Sequence, residues 1–246
     1  RLKGIPIVIH EQNSVAGTTN RIVARIARRV MQGFPNALKR GEWCGNPVRP
    51  AIANMSSPDK RFAERTGAVK LLVLGGSRGA LAINKILPQA LALVDSAIRP
   101  EVMHQTGKLH CEHTVELYKS AGVEAQVVPF IDKMDEAYSW ADFAICRAGA
   151  LTVAELTCAG LGSILIPFPY AIDDHQTVNG KLLVEQGSAT MIQQKELTAK
   201  MLAEEITKLC NSRSRLLEMA MRARELSKIG AASRVAKVCM EVGCEK

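Results

Sequence analysis

From residue 70 onward the chain alternates short continuous apolar runs with longer stretches in which apolar positions recur every three or four residues. The runs fall at 71–74, 102–104, 125–128, 143–146, 163–166 and 189–192, the pattern of strands buried on both faces. The amphipathic stretches fall at 79–93, 109–121, 133–140, 151–159, 175–186 and 197–211. Six strand–helix units in series, with no hairpin signal between them, predict an α/β fold with a parallel sheet covered by helices on both faces. The opening residues carry one more unit: a strand over 5–9, a helix over 20–29 capped by Thr19 or Asn20, and a short strand at 30–32. Gly45-Asn46-Pro47-Val48-Arg49-Pro50 and the polar stretch 55–65 then read as a turn-rich linker, which puts a domain boundary near residue 49. Two further helices, over 214–229 and 233–242, are separated by Gly230, and the last is expected to fold back onto the first domain.

Composition agrees with a packed core. Of 246 residues 47% are hydrophobic and 23% charged, which excludes a disordered chain. No apolar run reaches the roughly 18 residues of a membrane-spanning helix. No charged-then-apolar leader opens the sequence. Arg1 is no translation start and the residues after it already read as an interior strand, so the chain looks truncated at its N-terminus. Of the net charge of +8, residues 1–50 supply +7, from nine basic side chains against two acids. A basic face of this kind implies an anionic partner, although it also reads as a solvated helix face. The seven cysteines include no C-x-x-C pair, and Cys146 and Cys158 lie in apolar surroundings, so they read as reduced and buried and not as a disulfide framework or zinc site.

Candidate chemistry gathers where strands end. The 71–74 run leads directly into Gly75-Gly76-Ser77-Arg78-Gly79-Ala80 and then a helix. Glycines there let the backbone approach a ligand, and free N–H groups at a helix start favour a phosphate; the same turn also serves as a tight turn with no ligand. The loop is neither G-x-G-x-x-G nor G-x-x-x-x-G-K-[ST]. The next strand ends in His104-Gln105, where a dinucleotide fold carries an acid, which disfavours NAD and ATP hydrolysis. No cofactor is expected. Cys146-Arg147-Ala148-Gly149-Ala150-Leu151-Thr152-Val153-Ala154-Glu155 is a strand end, a glycine turn and a helix with an acid in its early turns. That acid is a helix-dipole partner, and at the C-terminal edge of the sheet it is also placed to accept both hydroxyls of a ribose. The segment from Pro167-Phe168-Pro169 through Asp173-Asp174-His175-Gln176 to Asn179 offers amides and acids to a polyol. Its consecutive Asp173, Asp174 and His175 lack a second ligand set elsewhere, so no metal is expected.

These three segments, in this order and preceded by His10-Glu11-Gln12-Asn13 and Gly45-Asn46-Pro47-Val48-Arg49, closely resemble the MurG family of bacterial peptidoglycan glycosyltransferases over essentially all 246 residues. The family's T-G-G-H run, which lies upstream of these motifs, is absent from the sequence. The resemblance implies a GT-B arrangement of two facing Rossmann-like domains, the first only partly present. Residues 1–48 would be the tail of the acceptor domain, 49–232 the donor domain, and 233–246 the segment returning to the first. It also implies inverting transfer of N-acetylglucosamine from UDP-GlcNAc to undecaprenyl-diphosphate-muramyl-pentapeptide (lipid I), giving lipid II, by a peripheral protein on the cytoplasmic face of the inner membrane.

Carried over by motif, Ser77 would contact the diphosphate with Arg49 nearby. The Ile131 backbone would read the uracil edge while Phe130 packs on the base. Ala150, Leu151, Thr152, Val153 and Ala154 would surround the nucleotide, with Glu155 on the ribose diol. Gln176 would read sugar hydroxyls, and Asn13 would contact the donor from across the cleft. His175 stands where relatives carry His or Gln. The family's favoured base falls upstream; His10 has suitable chemistry, although a lone His at a strand end also reads as structural.

The implied partners are thus UDP-GlcNAc, lipid I and an anionic inner-membrane surface. Rival readings are a GT-B UDP-sugar transferase for a different lipid and a non-catalytic sugar-nucleotide-binding half that needs a partner chain. Nucleic acid is disfavoured, because residues 1–50 offer only Phe34 and Trp43 for base stacking.

Overall fold

The computed structural model describes residues 5–76, 79–170 and 174–244. Among these, the strands form two parallel sheets. The smaller holds β1 (Val8–Glu11), β2 (Arg29–Gln32) and β3 (Glu42–Trp43), paired in that order. The larger holds β4 (Lys70–Leu74), β5 (Glu101–Gln105), β6 (Gln126–Val128), β7 (Phe143–Cys146), β8 (Gly162–Leu165) and β9 (Ala189–Met191), in the order β6-β5-β4-β7-β8-β9. The chain runs outward from β4 to β6, returns to lay β7 against β4, and runs outward the other way. The topological switch point therefore lies between β4 and β7, where open α/β sheets bind ligands at their C-terminal edge.

Alternation along each strand feeds two cores. Leu71 and Val73 point into one layer with Phe143 and Ile145. There they meet α4 (Leu81–Leu93) and α9 (Ala199–Cys210) through Ile83, Leu87, Leu202 and Ile206. Leu72 and Leu74 point into the other layer with Ala144 and Cys146, against α6 (Met134–Trp140) and α7 (Ala150–Ala159) through Tyr138, Val153 and Leu156. A period of two with both faces apolar is why these strands read as unbroken hydrophobic runs. Burial pushes the Cys146 thiol up to about 12, so it stays protonated.

The opening unit and the linker differ from the sequence reading. The first strand is β1, three residues later than expected. The helix is α1 (Thr18–Val23), after which the chain tightens through i to i+3 bonds (Arg25 N–H to Ile22 O, 3.2 Å; Ile26 N–H to Val23 O, 3.1 Å) so that Arg28 N–H can reach Ile7 O at 2.7 Å and enter β2. Neither Thr19 nor Asn20 caps it. Gly17 holds that place, and Asn20 Nδ2 donates instead to the buried Glu11 carboxylate at 2.8 Å. The supposed linker contains two short helices, α2 (Pro50–Ala53) and α3 (Pro58–Ala63). Their prolines open the first turn, where a missing N–H costs nothing, so Pro50 starts a helix where extended or turn chain was expected.

Three arginines from neighbouring segments terminate helices of the large unit. Arg61 donates to Ala159 O (2.6 Å) and Gly160 O (2.7 Å), and Arg224 to Cys158 O, at the end of α7. Arg65 donates to Ser139 O and Trp140 O at the end of α6. Cations on orphan carbonyls suit the negative end of the helix dipole. Gly160 ends α7 at φ +60°, and a Cβ there would lie 2.6 Å from Pro58 Cγ, so the position requires glycine twice over. After α10 (Arg213–Glu225) the chain turns and α11 (Ala231–Cys244) lies against β2, with Val238 and Val242 beside Met31 and Cys44 and Arg234 bidentate on Glu42 (2.6 and 2.7 Å).

Candidate functional site

At the switch point the C-terminal ends of β4 and β7 frame an open cleft of about 230 Å³. Its walls are Arg49, Leu74, Gly75, Gly76, Gln105, Phe130, Ile131, Met134, Tyr138, Arg147, Thr152 and Glu155. The glycine turn is pressed onto the end of β5: Gly75 N–H donates to Gln105 O at 2.9 Å. Gly79 sits at φ +76°, where a Cβ would lie 2.3 Å from Thr106 O. That carbonyl is fixed from behind by a buried chain of groups. Asn84 Nδ2 donates to Thr106 O (3.0 Å), so Asn84 Oδ1 faces His104 Nε2 (3.1 Å), which must carry the proton; Nδ1 is left to accept from the Tyr118 hydroxyl (3.0 Å). Burial drives the His104 pKa down to about 3, so it is a neutral structural group. Ser77 and Arg78 lie outside the described residues.

Glu155 is the most elaborated group in the cleft. Its Oε1 pairs with Arg49 Nη2 at 3.1 Å and its Oε2 accepts from the Tyr138 hydroxyl at 3.1 Å. The Arg49 side chain is 54% exposed and Glu155 20%, so this is a half-solvated pair that a ligand can rearrange. Tyr138 is fully buried, and burial, then the charge of Glu155, holds its phenol well above its usual pKa; it stays a donor. The carboxylate oxygens keep lone pairs free for hydroxyl donors. Arg49, expected beside the diphosphate, is found on the expected ribose acceptor.

The run 150–155 does not act as one surface. Thr152 and Glu155, three apart on α7, face the cleft. Val153 is buried in the core, and with Ala154 it lines a small gap against Phe34 and Trp43; Leu151 is exposed. Six consecutive helical side chains cannot share a face. What they share is a helix N-terminus, opening at Ala150 after Gly149, with orphan N–H groups at the sheet edge.

Asn13 and Gln176 are not among those walls. Gln176, in the first turn of α8 (His175–Glu185), accepts from Phe168 N–H at 2.9 Å. Asn13 Oδ1 accepts from Asn179 Nδ2 at 3.3 Å. Asp173 lies outside the described residues, and Asp174 Oδ1 accepts from the Thr177 hydroxyl at 2.7 Å. His10 Nε2 meets Gly45 O at 2.9 Å, and since a carbonyl only accepts, that nitrogen carries the proton and ties β1 to the chain after β3.

Three residues that sequence reasoning did not single out matter here. Tyr138 holds Glu155. Arg147 donates to Ile166 O (2.9 Å), Pro167 O (3.1 Å) and Gln194 Oε1 (2.6 Å), bracing the loop that leads to α8. Asn179 joins the two units. The signal for Asn179 was its place one helical turn after Gln176; for Tyr138 there was none, because only the fold brings α6 to α7.

Residues 70–236 match the glycosyltransferase family 28 C-terminal domain. The chain is 52% identical over 242 residues to the UDP-N-acetylglucosamine--N-acetylmuramyl-(pentapeptide) pyrophosphoryl-undecaprenol N-acetylglucosamine transferase of Dechloromonas aromatica, covering 98% of this chain and 68% of that protein. It is 53% identical over 238 residues to the same-named protein of Saccharophagus degradans, covering 97% and 61%. The crystal structure of Acinetobacter baumannii MurG superposes with a TM-score of 0.89 at 39% identity, over 98% of this chain and 68% of that one. The chain thus spans about two thirds of the length of the relatives it matches. With the domain match covering more than half of its residues and identity above 50% to full relatives, the chain belongs to the MurG family of GT-B glycosyltransferases.

Proposed function

We propose that this chain is the UDP-GlcNAc-binding portion of an inverting transferase that moves N-acetylglucosamine to lipid I to form lipid II. The observation that carries the reading is Glu155, braced by Tyr138 and capped by the exchangeable Arg49, in a cleft at the switch point between a glycine turn and the N-terminus of α7. On this reading residues 49–232 are the donor domain, while 1–48 and 233–246 belong to the acceptor side. The ribose diol displaces Arg49 from Glu155, and Arg49 turns to the diphosphate. Ile131 and Phe130 flank the base. Ser77 meets the diphosphate, Gln176 and Asn13 the sugar.

The acceptor's 4-hydroxyl attacks the anomeric carbon from the face opposite UDP, the glycosidic bond to the diphosphate breaks, and configuration inverts. The hydroxyl proton goes to a base outside these residues. Negative charge grows on the departing diphosphate, where helix N-terminal amides and the Arg49 guanidinium lower its energy.

The acceptor is borne on a membrane, and the protein docks peripherally on the anionic cytoplasmic face of the inner membrane. Exposed Ile22 and Ile26 interleave with exposed Arg21, Arg25, Arg28 and Arg29, which supports that contact. No helix among the described residues is long and apolar enough to cross a membrane. The test is transfer of labelled GlcNAc to a lipid I analogue, run alongside calorimetry with UDP-GlcNAc. The chain is expected to bind the donor and to transfer only when the family's upstream segment is supplied. Robust turnover by residues 1–246 alone would place the base within them; no donor binding would overturn the reading.

A further inference from the structure

Asn179 is completely buried and uses all of its hydrogen-bonding capacity. Its Oδ1 accepts from Ser14 N–H (2.9 Å) and the Ser14 hydroxyl (2.7 Å); its Nδ2 donates to Ala148 O (3.2 Å) and Asn13 Oδ1 (3.3 Å). Two of these partners are main-chain groups of fixed character. The Ser14 N–H can only donate, so the atom facing it is oxygen; the Ala148 carbonyl can only accept, so the atom facing it is nitrogen. The amide of Asn179 therefore has one orientation. That orientation propagates: Asn13 must turn its oxygen toward Asn179, which leaves Asn13 Nδ2 without a hydrogen bond among the described residues.

We propose that Asn179 is a positioning residue for sugar recognition, setting the Asn13 side-chain amide so that it meets the ligand only as a hydrogen-bond donor, to a hydroxyl or acetamido oxygen of the hexosamine. The inference rests on the donor-site reading above. Asn179 stands one helical turn after Gln176 on α8 and also touches Ala148, just before the turn into α7, so one buried amide ties the two segments read as meeting the sugar to the one read as surrounding the nucleotide. A side chain held to a single orientation loses no entropy choosing it when the ligand arrives, and it discriminates against ligands that lack the matching oxygen.

The experiment is calorimetry on the 246-residue chain with UDP-GlcNAc and with UDP, read as the ratio of the two affinities. Asn179→Asp keeps both acceptors for Ser14 but sets an oxygen against Ala148 O and Asn13 Oδ1, which turns the Asn13 amide around. UDP-GlcNAc affinity is expected to fall about tenfold, the scale of one lost hydrogen bond, with UDP affinity nearly unchanged. Asn13→Asp leaves the buried residue alone, still accepts from Asn179 and has no N–H to offer the sugar. It should lose the same preference, and it decides the question if the Asn179 variant does not fold. Combined with Asn13→Ala, Asn179→Asp should cost no further preference. Equal loss of UDP and UDP-GlcNAc binding in Asn179→Asp would make the residue a structural tie and overturn the inference while the donor site stands. So would an unchanged preference in Asn13→Asp. Failure of the unmodified chain to bind either ligand would instead overturn the donor-site reading and this inference with it.

Discussion

The six-stranded and three-stranded units are built on the same parallel pattern and held in different ways. The large unit is closed: helices cover both faces of its sheet, and its central strands are inaccessible to solvent. The small unit has two modest clusters, one around Val30 and Leu38, the other made from Met31 on β2, Cys44 just after β3, and Val238 and Val242 on α11. It is further held by contacts at its edges: Arg234 on Glu42, Lys228 over the Trp43 ring at 3.9 Å, and Asn46 Nδ2 on Gln12 O at 2.9 Å. Burial sets the stability of the first unit, and attachment sets that of the second. The ligand-facing groups of the large unit lie at its rim, where packing is least complete.

The sharpest way to test that contrast is to strike the large unit inside. Asp142 is buried, accepts from Lys70 N–H at 2.8 Å, and lies 3.5 Å from Arg65, an ion pair without hydrogen-bond alignment, and 3.9 Å from Arg213. Asp142→Ala leaves the largely buried Arg65 guanidinium with its carbonyl partners but without its counter-charge, and the Lys70 N–H without an acceptor, and should cost about 3–5 kcal/mol in urea unfolding of the large unit. Met31→Ala should cost about 2–5 kcal/mol. That loss should appear by hydrogen exchange as faster opening of β2 and α11, with β4 and β7 still protected; loss of protection in all four would mean that the units are one cooperative body. At the rim, Glu155→Ala should weaken UDP and UDP-GlcNAc alike by about 1–3 kcal/mol, with a stability cost confined to the buried Tyr138 hydroxyl that loses its acceptor, and unchanged UDP affinity would remove the ribose assignment.

A pH series separates the interior again. His104 is neutral when folded, its pKa held at about 3 by burial. As pH falls below about 6.5 the unfolded chain takes up the proton first, so the contribution of this residue is full above 6.5 and is lost toward 3, at about 1.4 kcal/mol per pH unit. His104→Gln should flatten the acid limb of the stability curve by that slope. The smallest expected effect is on the small unit's surface. Arg21→Glu and Arg25→Glu should each cost about 1 kcal/mol of binding to anionic phosphatidylglycerol vesicles, with added salt acting the same way. Co-sedimentation indifferent to both charge and salt would remove the membrane face.

The same contrast governs what could be read from sequence. Strands such as Phe143–Cys146 and Lys70–Leu74 were legible within a residue, because a strand buried on both faces must be written in apolar residues. In the small unit, the helix expected over 20–29 closes at Val23, because Arg28 must reach Ile7, a pairing that no local pattern announces. Pro50, read as extended or turn chain in a linker, instead opens a helix, because a proline suits a first helical turn as well as it suits extended chain. At the site, the glycine turns and Glu155 were readable as chemistry next to strand ends. The Tyr138 clasp, the pairing of Arg49 with Glu155 and the orientation of Asn179 were not, since each joins residues 17 to 165 positions apart.

The chain passes between the two units twice, once on leaving β3 toward α2 and once between α10 and α11. A body tethered to another by a single strand can swivel in every direction. One tethered at two separate points is restricted, for any rigid movement, to rotation about the line that joins them. The return of α11 to β2 thus turns what would be a loose pendulum into a door on two pins. Any opening or closing of this molecule is narrowed in direction by its covalent path, whatever ligand drives it.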